Sequence, residues 1–408
     1  MKKFLGIFLA AILCIMMAVA VNAADVYVND GGTGDGTTAE ASLGDMTAAI
    51  EAIAAEGGTV HIVDTYTCAD QFVEPEHAGN IVITGGKYVF TNGSFNRWYL
   101  SGAGSTTFEN ITFEYGAGST SLFICQFNEI VIGEGVVFPD KFMSGEKEVA
   151  GRCYVVGGYQ YNKNHNDKEY ANLDEMIADL GWATDKDSKI TVKSGKLWCV
   201  VGFCRGAASA DCVFTGTSNI TIEGDTIIDS AVYGGHVNGL ASAGATSINI
   251  SGGQIADVRM SSDANYVSPL TGDANVNISG GNIASLSMNN VLGKVNVETS
   301  GGIITMATKS VDESLTVTDG TATLTATGDS RVSKMLADAF DTFVGEIYVP
   351  AIPSITVPTE TEEVVEDTAD AANVTSAEGG LNPVVIIAIV IAVIVVVAIV
   401  VVIIKKKK

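Results

Sequence analysis

The sequence predicts an all-β fold in which short strands stack as the coils of a solenoid. The 408 residues include 45 glycines but only 7 prolines, and 47% are hydrophobic while 17% are charged. This composition is too apolar for a disordered chain and too rich in glycine for a helical bundle. An alternation of apolar and polar side chains, closed by glycine, recurs every 19 to 30 residues, which predicts one strand-and-turn unit per coil.

The repeat is clearest in residues 219–224, 247–253 and 275–281, each of which has the pattern of a short half-buried strand meeting a turn. The first apolar residues of the copies are Ile190, Ile220, Ile248, Val276, Val295 and Leu315. A second apolar strand follows the turn in residues 255–258, 283–286 and 303–306. One coil cannot cover its own apolar face, so the coils must stack and both ends need a cover.

The start of this region predicts the N-terminal cover. After a strand pattern at 25–28, residues 42–45 resemble a capping box that opens a helix over 42–56. The apolar stripe of this helix consists of Met46, Ala49, Ile50 and Ile53. The sequence Gly-Gly-Thr-Val at 57–60 then ends the helix and begins a strand.

This opening, together with the repeats, resembles the pectin-lyase-like right-handed parallel β-helix family over residues 25–335. The resemblance implies a right-handed parallel β-helix solenoid with a short N-terminal capping helix, and no enzyme-specific motif is matched. Enzymes on this fold, as the resemblance implies, degrade acidic polysaccharides. The lyases use clustered calcium-binding carboxylates with an arginine or lysine base, and the hydrolases use paired aspartates.

Apolar segments at both ends predict export and membrane anchoring. Two lysines, an apolar run and small residues before position 24 predict a signal peptide over 1–23, with an uncleaved anchor as the alternative. Residues 383–404 are all apolar, and a helix of this length spans about 33 Å, enough for a hydrocarbon core of about 30 Å. The four lysines at 405–408 favour the cytoplasmic side.

The predicted protein is therefore a single-pass type I protein of the cell membrane with an extracellular ectodomain at 24–349. Residues 350–382 contain proline, threonine and acidic side chains but no basic or aromatic ones, which predicts an extended stalk. Within the ectodomain, 160–188 interrupts the repeats and contains a predicted helix at Leu173–Leu180. This insertion is interpreted either as a tolerated surface loop or as a lid over a binding groove.

The charge of the chain bears on its partners. With 47 acidic and 23 basic residues the net charge is −24, which argues against nucleic acid because phosphates repel such a surface. The expected partners are the membrane, through the C-terminal helix, and an extracellular polysaccharide or another cell surface.

Catalysis would require acids that converge from adjacent coils. The candidates are Asp225, Asp229, Asp257, Arg259, Asp263 and Asp273. Asp229 and Asp257 are 28 residues apart, one period, so they are expected to stack on neighbouring coils with Arg259 on the same face. In the next coil Ser285 and Ser287 take the positions of Asp257 and Arg259, so no extended acidic cleft is predicted.

No cofactor is predicted, although Asp30 and Asp35, with the glycines between them, offer possible calcium ligands. A glycine and aspartate turn explains the same residues without a metal. The six cysteines after residue 23 are interpreted either as disulfides or as buried thiols in the coil. Most Asn-x-Ser/Thr motifs coincide with the start of a repeat, so strand structure explains them as well as glycosylation does.

Two functions are consistent with these observations. The first is a non-catalytic cell-surface protein, adhesin-like or structural in the envelope, which presents a long ladder-like face. The alternative is a cell-anchored polysaccharide lyase or glycoside hydrolase that acts on acidic glycans through Asp229, Asp257 and Arg259. The absence of a cluster of acids in the sequence pattern favours the first.

Overall fold

A computed structural model describes residues 24–348, apart from 69–70, 92–95, 116–119, 145–146, 162–163, 166–167, 207–211, 240 and 264–266. The predicted signal peptide (1–23), stalk (350–382), membrane span (383–404) and lysine tail (405–408) lie outside the described residues. Within the described part of the chain, none of the helices has both the length and the apolar character needed to cross a bilayer.

The described residues form an all-β structure of short strands with three short helices. The strands of the first half are β1 (Ala24–Val28), β2 (Gly58–Ile62), β3 (Thr65–Cys68), β4 (Gln71–Val73), β5 (Ile81–Thr84), β6 (Lys87–Phe90), β7 (Asn96–Tyr99), β8 (Thr106–Glu109), β9 (Thr112–Tyr115), β10 (Thr120–Ile124), β11 (Ile130–Ile132), β12 (Lys141–Ser144), β13 (Lys147–Ala150) and β14 (Arg152–Val156). Those of the second half are β15 (Asn164–His165), β16 (Lys168–Glu169), β17 (Ser188–Val192), β18 (Lys196–Val201), β19 (Thr217–Ile222), β20 (Ile227–Tyr233), β21 (Ala245–Ile250), β22 (Gln254–Arg259), β23 (Ala274–Ile278), β24 (Asn282–Ser287), β25 (Val295–Thr299), β26 (Ile303–Thr308), β27 (Ala322–Ala326) and β28 (Thr342–Val344). The helices are α1 (Met46–Ile53), α2 (Leu173–Leu180) and α3 (Lys334–Ala337).

Most strands belong to two long sheets whose neighbours are all parallel. One sheet has 12 strands in the order β1-β2-β5-β8-β11-β17-β19-β21-β23-β25-β27-β28, and the other has nine in the order β26-β24-β22-β20-β18-β14-β10-β7-β4. A third parallel sheet pairs β3-β6-β9, and two short antiparallel hairpins join β12 to β13 and β15 to β16. From β17 to β26 successive strands alternate between the two long sheets, which is a solenoid-like arrangement compatible with a β-helix.

The core lies on the inner face of these sheets, and the strand register stacks like side chains on one another. Ile190 pairs with Ile220, Ile220 with Ile248, and Ile248 with Val276, and all four side chains are fully buried. Burial of each such side chain contributes about 1.5–3 kcal/mol. The apolar and polar alternation of the sequence therefore becomes a buried column that runs through the stack.

The predicted repeat is shifted in its fifth copy. Val276 pairs with Val297, while Val295, predicted as the first residue of this copy, lies opposite Ala274. Both positions of β25 face inward because side chains two residues apart share a face of a strand. The pattern of residue types was therefore right and the register was off by two residues.

The sixth copy is wrong: residues 314–318, predicted as a repeat strand, form none, and the next strand of the sheet is β27. The carboxylate of Asp312 accepts hydrogen bonds from the backbone N–H of Ser314 at 2.9 Å and from its hydroxyl at 2.6 Å. Such a local side-chain turn competes with strand pairing. Leu324 of β27 then pairs with Val297 and is fully buried.

Helix α1 has the predicted apolar stripe but a different cap. Its buried residues are Met46, Ala49, Ile50 and Ile53. The helix begins after Asp45, whose carboxylate accepts a hydrogen bond from the N–H of Thr47 at 2.9 Å, so Asp45 and not Ser42 is the N-cap. The chain around Ser42 instead returns to β1, since the N–H of Leu43 donates to the carbonyl of Tyr27.

The insertion at 160–188 contains α2 with the predicted bounds. Its N-cap is Asn172, and Leu173 and Met176 are buried. After the helix, the ring of Trp182 stacks on that of Tyr159, with the centroids 4.1 Å apart. These contacts attach the described part of the insertion to the stack.

One corner of the stack is built from glycines and small hydroxyl side chains. The hydroxyl of Ser188 donates to the carbonyl of Gly202 at 2.6 Å, and that of Ser218 donates to the carbonyl of Gly234 at 2.7 Å. A Cβ atom added to Gly202 would lie 2.5 Å from both the Gly234 carbonyl oxygen and the Ser218 Cβ. Only glycine fits at this point because the next coil approaches the backbone directly.

The cysteines are buried thiols in this structure. All six are free; Cys125, Cys153, Cys199, Cys204 and Cys212 are buried and Cys68 is partly buried. Burial raises the pKa of Cys153 to about 12 and that of Cys199 to about 11. Thiols of this kind are protonated at neutral pH and are poor nucleophiles.

Candidate functional site

The outer face of the nine-stranded sheet changes from apolar to polar along the stack. One row of paired residues on this face consists of Val156, Val201, Tyr233, Arg259, Ser287 and Thr308. The first three belong to a second, smaller apolar cluster that is separate from the main core. The row becomes polar at β22, so a polar surface begins where the apolar cluster ends.

Asp257 and Arg259 meet at this transition, as their spacing on one strand predicts. The Arg259 Nε atom donates to Asp257 Oδ2 at 2.5 Å, and the guanidinium lies over the ring of Tyr233, 5.7 Å from its centroid. The two side chains are only 27% and 16% exposed. The aromatic ring and the carboxylate together hold the arginine in a fixed orientation at the edge of the polar surface.

A groove of about 440 Å³ extends from this pair and is called the polar groove here. Its wall includes Asp257, Arg259, Asp263, Ser285, Ser287, Asn289, Asn290, Thr308 and Asp312. The strand register places Ser285 beside Asp257 and Ser287 beside Arg259, so the predicted alignment of these serines is confirmed. The contribution of Asn289, Asn290 and Asp312 was not foreseen, because these residues lie in the turns after the strands and carry no repeat signal.

Asp229 is not brought to Asp257, and the expected stacking of the two aspartates is wrong. Between the paired positions Ile228–Ile255 and Val232–Val258, strand β20 has one more residue than β22. This bulge removes the match implied by equal spacing, because one extra residue changes the side of the sheet on which a side chain lies.

Asp229 instead joins a separate group of charges around Lys196. The Lys196 Nζ atom lies 3.3 Å from Asp229 Oδ2 and 3.0 Å from Asp140 Oδ1. Hydrogen bonds to these two carboxylates, that of Asp140 first, raise the pKa of Lys196. Because all three side chains are about 40% or more exposed to solvent, we interpret this group as a surface ion-pair network.

The other candidate acids have structural partners. Asp263 lies in the polar groove, where its carboxylate accepts a hydrogen bond from the N–H of Asn238 at 2.6 Å. The carboxylate of Asp273 accepts a hydrogen bond from the N–H of Lys294 at 2.8 Å in the next coil. Asp225 is exposed in a turn and does not line the groove. The groove therefore gathers Asp257, Arg259 and Asp263 of the six candidates.

The calcium candidates Asp30 and Asp35 accept hydrogen bonds from the protein. Asp30 accepts from the N–H of Thr67 at 2.8 Å and from its hydroxyl at 2.5 Å, whereas Asp35 accepts from both groups of Thr37. The hydrogen bond from the Thr37 hydroxyl is the main cause that lowers the pKa of Asp35. Among the described residues, no three acids, histidines or cysteines come together as a metal site would require.

Two buried histidines have structural environments. His236 accepts a hydrogen bond from the N–H of Cys204 at Nδ1, and burial lowers its pKa to about 4. His77 contacts the buried carboxylate of Glu74, a pairing that no motif in the sequence indicated. Glu74 also accepts hydrogen bonds from Trp98 and Thr106, which lie on later strands.

Comparison with known proteins identifies no family. No family model matches the sequence, and no curated protein or solved structure matches it. The resemblance to the pectin-lyase-like β-helix family therefore remains an expectation from the sequence, with which the long parallel sheets are compatible.

Proposed function

We propose that this chain is a cell-surface protein, adhesin-like and non-catalytic, that binds glycans through the polar groove. Its fold would be a right-handed parallel β-helix of the pectin-lyase-like type, held at the membrane by the span at 383–404 and raised on the stalk at 350–382. The observation that carries the proposal is the groove itself. It combines a fixed arginine, carboxylates, amides and hydroxyls on rigid strands, which is the polar lining that orients hydroxyl-rich ligands.

An enzyme acting through Asp229 and Asp257 has less support. Acid–base hydrolysis of a glycosidic bond needs two carboxyl groups on opposite sides of one scissile bond. Asp257 lines the polar groove, whereas Asp229 is paired with Lys196 and does not line it. The Arg259 guanidinium also neutralises the carboxylate of Asp257 directly.

We expect vesicles that carry the full-length protein to attach to polysaccharide-coated surfaces without changing the polysaccharide. The groove offers binding groups but no second carboxylate placed for catalysis, so no reducing or unsaturated ends should be released, with or without calcium. Attachment is measured by microscopy and chain cleavage by end-group assay. Turnover that Asp257→Asn or Asp229→Asn abolishes would establish the enzyme and overturn the proposal, as would failure to attach to every surface.

The topology gives a second expected result. A protease added outside intact cells should cut within 350–382 and release the ectodomain, because an extended acidic segment is accessible to proteases. A tag placed after Lys408 should stay with the membrane fraction. Permeabilised cells are the control, since there the tag also becomes accessible. Protection of the stalk in intact cells would contradict the type I orientation.

A further inference from the structure

The polar groove contains buried acceptor atoms that lack a partner. Asp257 Oδ1 and Asn289 Oδ1 are both inaccessible to solvent and accept no hydrogen bond within the described part of the chain. An acceptor left in this state costs about 1–3 kcal/mol. Both residues lie in the wall of the same groove, so these two unmade hydrogen bonds mark one place.

Both of these atoms require a donor from the ligand. The terminal torsions of Asp and Asn side chains are broad, so a small rotation turns either oxygen towards a group that enters the groove. A carboxylate, sulfate or phosphate of a ligand offers only acceptors and would leave both oxygens unsatisfied. A hydroxyl or amino group would satisfy them.

The charge of the groove also disfavours an acidic ligand. Its wall contains the carboxylates of Asp257, Asp263 and Asp312 but only one cationic side chain, Arg259. Arg259 already donates to Asp257 through Nε at 2.5 Å. An anion in the groove would therefore meet a negative environment whose single positive charge is shared with a neighbour.

The ligand must also offer acceptors, because the groove contains donors as well. The pair with Asp257 uses only Nε of Arg259, and the guanidinium has two further amino groups. The hydroxyls of Ser285 and Ser287 stand beside it on the next strand. A sugar hydroxyl both donates and accepts, whereas a simple amine at neutral pH only donates.

We infer that the polar groove selects neutral, hydroxyl-rich glycans and rejects acidic ones, an inference that rests on the proposed glycan-binding function. Asp257 and Asn289 accept hydrogen bonds from sugar hydroxyls, and Arg259 donates to sugar oxygens. This choice is the reverse of the substrate class that the fold resemblance implies.

The test uses the full-length protein in lipid nanodiscs, with cellohexaose, mannohexaose and hexagalacturonate as probes in calorimetric titrations at low salt. We expect at least one neutral hexasaccharide to bind at least tenfold more tightly than hexagalacturonate. Asp257→Ala and Asn289→Ala should each weaken the neutral ligand by about tenfold, the usual effect of losing a hydrogen bond in a binding site. Asp225→Ala, a substitution of an exposed aspartate outside the groove, is the matched control and should change nothing.

The outcomes separate this inference from the function on which it rests. Hexagalacturonate binding that Asp257→Ala or Asn289→Ala weakens, without neutral binding, would overturn the inference and leave a glycan-binding groove in place. If no probe binds in a manner that depends on these residues, both proposals fail. Because Asp257→Ala could disturb the strand through Arg259, Asp257→Asn is measured in parallel, with the thermal unfolding midpoint of each variant as a check on folding.

Discussion

Replacement of Glu74 by alanine is expected to destabilise the fold by about 3–5 kcal/mol, because it leaves several buried donors without an acceptor. The Glu74 carboxylate is buried and accepts hydrogen bonds from Trp98 Nε1 at 2.6 Å and from the Thr106 hydroxyl at 3.0 Å. His77 Nε2 lies 3.3 Å from it. One carboxylate thus connects three coils near the N-terminal end of the stack.

The measurement is a denaturant titration of the full-length protein in mild detergent, followed by circular dichroism. Glu76→Ala is the matched control, since Glu76 is exposed two residues along the chain and its loss should change stability by less than about 0.5 kcal/mol. Glu74→Gln keeps one acceptor and should fall between the two. Equal midpoints for Glu74→Ala and Glu76→Ala would show that the network contributes nothing.

The same network should make stability depend on pH. The hydrogen bond with Glu74 is the main cause that raises the pKa of His77. The contribution of this pair is therefore full below about pH 6.5, the value for an unfolded histidine, and is lost as pH rises through the folded pKa. His236 acts in the opposite sense, because its pKa is lowered to about 4. The difference between the parent protein and Glu74→Ala isolates the His77 contribution.

Replacement of Gly202 by alanine is expected to cost about 3 kcal/mol through steric conflict. The added Cβ would meet the carbonyl oxygen of Gly234 and the Cβ of Ser218 at 2.5 Å, and neither can move without shifting the next coil. The N–H of Gly202 also donates to the carbonyl of Tyr233 at 2.7 Å, so this segment is held by the strand ladder.

Gly181→Ala is the matched control for this substitution. Gly181 has a φ of 65° at the end of α2, but nothing lies within 4 Å of an added Cβ, so only the backbone penalty of about 1 kcal/mol applies. Both variants are compared by the midpoint of denaturant unfolding at constant slope. A Gly202→Ala midpoint no lower than that of Gly181→Ala would contradict the close approach of the coils at this corner.

The core of the fold could be predicted from the sequence because its signals are local. The alternation around Ile220, Ile248 and Val276 indicates which side chains face inward, and glycine marks the turns that separate the strands. The stripe of α1 is a local signal of the same kind. The alignment of Ser285 with Asp257 also follows from spacing alone, since β22 and β24 pair without a shift between these residues and the next.

The candidate site depended on features that spacing cannot reveal. Equal spacing of Asp229 and Asp257 predicted stacking, but the extra residue in β20 separates them, and a bulge depends on how two strands pair. Asn289 and Asp312 enter the groove from turns whose path is set by the surrounding coils.

The sequence by itself determined that this chain builds parallel strands into a stack, because strand periodicity and glycine turns are properties of consecutive residues. Only the tertiary structure decided which polar residues meet. Glu74 lies 24 residues from Trp98 and 32 from Thr106, yet one buried carboxylate bonds to both. In a stack, the partner of a side chain is selected by the length of each coil, and a change of one residue in that length reassigns every neighbour.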